Sequence, residues 1–89
     1  MIRKHTIVRG EVQGVGFRYH ARATATSLGV SGYTRNLGDG TVELEIEGDE
    51  SAVDRMVEWL GVGPAWATVS AVDVTDIAPT GETGFSILS

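Results

Sequence analysis

Residues 41–47, Thr-Val-Glu-Leu-Glu-Ile-Glu, constrain the fold more than any other stretch of this chain. Val42, Leu44 and Ile46 alternate with Glu43, Glu45 and Glu47. Strand side chains point to opposite faces in turn, so this segment is a strand with one face on a core and one polar face. The other elements must supply its neighbours and cover its apolar side. Two stretches have the helical period instead. Phe17, Ala21, Thr24 or Ala25, and Leu28 recur at three-to-four spacing, and Gly29 can end that helix in a left-handed conformation. Val53, Met56, Val57 and Leu60 form a second stripe. Asp49 or Ser51 is placed to cap it, and Gly61 and Gly63-Pro64 close it.

Around these lie further strand segments. Residues 5–11 are β-rich, as are residues 30–36 and, within 66–76, roughly 69–75. Leu37-Gly38-Asp39-Gly40 has hairpin chemistry. Residues 77–83 read as a loop. Phe85 and Ile87 alternate in a last short segment that can add an edge strand at the C-terminus. The order is β-α-β-β-α-β, an α+β ferredoxin-like sandwich: an antiparallel sheet with two helices on one face. At 89 residues the expectation is a single domain over 1–89.

Composition narrows the chemistry. With no cysteine there is no thiolate zinc site, disulfide or cysteine nucleophile, and two histidines are too few for a His-rich metal site. No apolar run approaches the roughly 20 residues of a membrane span, and the N-terminus lacks a signal peptide's apolar stretch, so a soluble, cytoplasmic protein is expected. The net charge of -5 argues against nucleic acid. That average hides a split. Six of the seven basic residues fall in residues 1–35 with one acid, Glu11, whereas residues 36–89 carry Arg55 alone against eleven acids. An acidic protein with a basic front half invites a search there for an anion.

The first helix points to the place. A helix N-terminus carries partial positive charge and free N–H groups, so acids are favoured in its first turn. The second helix obeys, with Asp49, Glu50 and Asp54 near its start. The first opens Phe17-Arg18-Tyr19-His20-Ala21-Arg22, with two arginines and no acid, after the glycine loop Val12-Gln13-Gly14-Val15-Gly16. An anion bound by the loop N–H groups and the Arg18 guanidinium would repair the mismatch. Arg22 reads as a solvated surface residue. The P-loop pattern is absent, and Tyr19 stands where the third glycine of a dinucleotide fingerprint belongs.

Gly10-Glu11-Val12-Gln13-Gly14-Val15-Gly16-Phe17-Arg18 resembles the acylphosphatase signature G-x-V-Q-G-V-x-F-R. A second stretch, Gly32-Tyr33-Thr34-Arg35-Asn36, then Gly40-Thr41-Val42 and Gly48, resembles that family's G-[aromatic]-x-x-N-x-x-x-G-x-V…G pattern. The resemblance covers essentially the whole chain. It implies hydrolysis of acyl phosphates to a carboxylate and inorganic phosphate, with no metal or cofactor. It also implies that Arg18 binds the phosphate, that the backbone of Gln13, Gly14, Val15, Gly16 and Phe17 forms the cradle, and that Asn36 orients water. The expected partners are a small-molecule acyl phosphate and the phosphate product, with no nucleic acid or membrane, and the expected state is a monomer.

The elementary chemistry agrees. A carboxylic-phosphoric anhydride has a good leaving group, so positioning and charge stabilisation suffice. An amide has no useful pKa, so Asn36 would hold water rather than act as a base. His20 is read as structural or surface, and Glu43, Glu45 and Glu47 as a solvated sheet face paired with Arg9 or Arg35. Trp59 and Trp66 are read as core edge or packing under the long loop. Gln13 either holds the loop shape or faces water. Two rival readings remain. One is a non-catalytic module binding phosphate or carbamoyl phosphate. The other is a ferredoxin-like RNA binder, which the glutamates on the central strand disfavour.

Overall fold

The computed structural model describes residues 1–88. The elements run β1 (Ile2–Glu11), α1 (Phe17–Leu28), β2 (Ser31–Asn36), β3 (Val42–Gly48), α2 (Glu50–Leu60), β4 (Thr68–Ile77) and β5 (Phe85–Ile87). The sheet order is β4-β1-β3-β2-β5. The four longer strands pair antiparallel. The C-terminal edge strand β5 pairs with β2 in parallel, so the sheet is mixed rather than purely antiparallel. β1 and β4 are longer than the periodicity indicates. Their outer ends have mixed composition but lie in register with each other, Arg3 opposite Ile77 and Lys4 opposite Asp76.

Both helices cover one sheet face. Phe17, Ala21 and Ala25 of α1 and Val53, Met56 and Leu60 of α2 are buried. They meet Val8, Val42, Leu44 and Ile46 in one core cluster. Fully burying each larger aliphatic or aromatic side chain contributes about 1.5–3 kcal/mol. Gly29 ends α1 at φ 73°, as its position indicates. Asp49 stands at the N-cap of α2, but its carboxylate makes no capping hydrogen bond, and Ser51 lies inside the helix. Glu50 supplies the acid of the first turn.

The opposite sheet face corrects the expectation of a solvated one. Glu43 and Glu47 are buried. Arg3, only 3% exposed, lies among three carboxylates: Nε to Glu45 at 2.9 Å, Nη1 to Glu47 at 3.1 Å and Nη2 to Glu82 at 2.8 Å. Residues 78–84 fold across this face, and the N–H groups of Thr80 and Gly81 donate to Glu47 at 2.8 and 3.0 Å. Arg35 does pair with Glu43, at 2.6 Å, whereas Arg9 pairs with Asp73 on β4. The β-rich run begins only at His5, whereas β1 extends back to Ile2 and so brings Arg3 onto this face. Without Arg3 the glutamates had no buried partner. Trp59 packs on Phe17 with ring centroids 5.4 Å apart, but Trp66 is 83% exposed and packs under no loop. No helix among the described residues is long and apolar enough to cross a membrane.

Candidate active site

β1 ends at Glu11, and the buried Val12 anchors the chain before it leaves the sheet. Gly14 and Gly16 then take φ of 75° and 76°, a left-handed region that other residues rarely adopt. Gly16 is the N-cap of α1. Having no side chain, it leaves the first-turn N–H groups without a capping oxygen, and the turn holds no acid. A strand–glycine loop–helix corner of this kind directs N–H donors and the positive helix end toward one spot, where a phosphate or carboxylate is favoured.

Arg18 is the second residue of α1 and is half-buried. Among the described residues no ion pair engages it. Arg22 lies one turn further on, its guanidinium 5.7 Å from the Tyr19 ring centroid, and is exposed as expected. The Phe17 side chain points into the core, so only its backbone belongs to the corner. His20 is exposed, and its ring lies 3.5 Å from where a Cβ at Gly16 would stand.

Asn36 is the last residue of β2. Its Oδ1 is buried and, among the described residues, has no hydrogen-bond partner, like Thr34 Oγ1 two residues earlier on the same strand face. Such orphaned oxygens are rare, because leaving a buried polar atom unsatisfied costs about 1–3 kcal/mol. The following turn is well braced. Leu37 N donates to Thr41 O at 2.9 Å. Asp39 Oδ1 accepts from Thr41 Oγ1 at 2.6 Å and Thr41 N at 3.1 Å, and these bonds hold the Asp39 carboxyl below its ordinary range. This Asp-x-Thr brace is the Asx-turn habit of aspartate, a local signal beside the hairpin chemistry of residues 37–40.

Gln13 resolves its two alternatives. Its side-chain amide donates to Leu37 O at 2.8 Å and Thr41 O at 2.9 Å. The glycine loop is thereby fastened beside Asn36. Two concavities, of about 650 Å³ between the helices and about 360 Å³ near the N-terminus, include neither the loop nor Asn36. Among the described residues no group of three metal-ligating side chains clusters.

Fold and corner together define a small ferredoxin-like domain with an anion-ready loop. The acylphosphatase family model matches residues 4–87. An acylphosphatase of Roseiflexus sp. is 54% identical over 89 residues, covering 99% of this chain and 96% of that protein. One of Bifidobacterium longum is 51% identical over 83 residues, covering 93% and 86%. The crystal structure of acylphosphatase from Bacillus subtilis superposes with a TM-score of 0.97 at 37% identity, over 100% of both chains. The chain belongs to the acylphosphatase family. Its activity is the hydrolysis of acyl phosphates, and its substrate is a small-molecule acyl phosphate.

Proposed function

We propose that the glycine corner carries the reaction, with Arg18 and the backbone N–H groups of Gln13–Phe17 binding the phosphoryl group and Asn36 orienting the attacking water. The uncapped, acid-free start of α1 behind the glycine loop carries this reading, because its N–H groups and Arg18 favour a phosphoryl dianion, and Asn36 at the end of β2 brings an amide that can hold a water. Water attacks phosphorus as the P–O bond to the acyl oxygen breaks. The acyl group leaves as a carboxylate, and phosphorus keeps the water oxygen as inorganic phosphate. The released proton passes to a phosphate or carboxylate oxygen. Charge on the three phosphoryl oxygens is met by N–H donors already in place, which is where such sites gain most of their rate.

The anhydride's leaving group is a weak base, so the step asks for no metal, cofactor or covalent phosphoenzyme. The net charge of -5 favours a free small substrate over a nucleic acid, and we read the protein as a cytoplasmic monomer.

Hydrolysis of a small aryl acyl phosphate in the presence of chelator tests the assignment. Arg18→Gln and Asn36→Ala are each expected to lose roughly 10²–10³-fold in rate. A wild-type rate in either variant removes that residue from the mechanism. Loss of wild-type activity on chelation removes the metal-free reaction.

A further inference from the structure

We propose that Gln13 is a positioning residue, whose side-chain amide holds the phosphate cradle in place relative to Asn36. This rests on the roles given above to the loop and to Asn36. The need for such a tie follows from topology. The loop leaves β1, whereas Asn36 ends β2, and β3 lies between those strands. Val42 faces Val8 on one side and Asn36 on the other. Ladder hydrogen bonds therefore fix Asn36 relative to β3, but nothing in the ladder reaches the loop beyond Glu11.

The loop has little means of fixing itself. Gly14 and Gly16 carry no side chains, and the space beside Gly14 is open to 4 Å. Among the described residues, Gln13 is the one residue of 13–16 whose side chain forms a hydrogen bond. Both amide hydrogens are used, one on Leu37 O at 2.8 Å and one on Thr41 O at 2.9 Å. Leu37 is the neighbour of Asn36, and Asp39 braces the turn from within. The amide thus joins the glycine half of the site to its braced half. In-line attack needs the water within a fraction of an ångström of its place, and a misplacement near 1 Å can cost about 10²-fold.

A double-mutant cycle tests this, with kcat and competitive inhibition by inorganic phosphate measured well below each melting temperature. Gln13→Ala is expected to lower kcat about tenfold while the phosphate inhibition constant moves less than about threefold, because the cradle still binds but no longer faces Asn36 correctly. In an Asn36→Ala background the same change is expected to cost less than about twofold, since there is no oriented water left to misplace. Gln13→Glu, equal in size but without the two donors, is expected to lower kcat at least as much as Gln13→Ala. If Asn36→Ala is impaired while Gln13→Ala and Gln13→Glu keep wild-type kcat, the inference falls and the reading of Asn36 stands. The same holds if the two losses simply multiply, or if only the melting temperature moves. If Asn36→Ala alone keeps wild-type kcat, both fall together.

Discussion

The molecule has two polar regions built on opposite plans. On the sheet face away from the helices, buried charge is met by charge. Arg3 joins Glu45, Glu47 and Glu82, and Glu43 sits 2.6 Å from Arg35 and 2.9 Å from His5 Nε2. At the glycine corner, partners are missing. Among the described residues, the start of α1 has no side-chain cap bond and no acid, and Asn36 Oδ1 has no partner. A fully satisfied polar network fixes structure, whereas a group left unsatisfied marks where a protein meets something else. The number of charges does not separate the two regions. What separates them is whether the chain supplies both partners.

The largest expected effect lies on the satisfied side. Removing one partner of a buried ion pair strands the other charge and typically costs about 3–5 kcal/mol. Arg3→Met should fall at the low end of that range, because Glu45 and Glu82 retain 23% and 33% exposure. Denaturant melts should show this loss while kcat at low temperature stays within about twofold of wild type. An Arg3→Met protein as stable as wild type would mean that the sheet face is not the structural half.

Acid should act on the same face. Burial works to raise the Glu43 carboxyl, but the hydrogen bonds to His5 and Arg35 outweigh it and hold the group below its ordinary range. Glu47 is held low by the Thr80 N–H and then by Arg3 and the Gly81 N–H, against the opposing effect of burial. A carboxyl whose folded pKa lies below its unfolded value of about 4.3 stabilises fully above that value and loses the contribution as pH falls through the folded pKa. Melting temperature should therefore decline below about pH 4, and Glu47→Gln should flatten that decline. An unchanged acid limb in the variant would separate Glu47 from it.

These regions also differ in how far the sequence exposes them. The core side was legible, since Val42, Leu44 and Ile46 alternate and both helical stripes fall where the buried residues lie. The corner was legible because helix starts obey a local rule, and Phe17-Arg18-Tyr19-His20 breaks it within one turn. The charged face was not. Its partners sit 42 and 79 residues apart, Arg3 with Glu45 and with Glu82, and period-two reasoning assigns a polar face to solvent by default. Residues 78–84 have no periodicity to read, so the strap that buries Glu47 appears only in three dimensions. For Gln13 a loop-holding role was one of two readings, but its partners, carbonyls 24 and 28 residues onward, have no local signature.

The smallest expected effect has the opposite sign and divides the regions most sharply. In the absence of phosphate, Arg18 holds a positive charge near the positive end of α1 and, among the described residues, has no ion-pair partner. Such placement costs about 0.3–1 kcal/mol. Arg18→Gln should therefore raise stability by about that amount at low ionic strength, and salt should erase the gain. Deleting an arginine thus destabilises one region and stabilises the other. Phosphate should reverse the order, because at ten times its dissociation constant a ligand adds about 1.4 kcal/mol to a protein that binds it. Wild type should gain that stabilisation and Arg18→Gln little of it, so the melting curves should cross as phosphate is titrated in. Curves that stay parallel would show that Arg18 does not hold the anion.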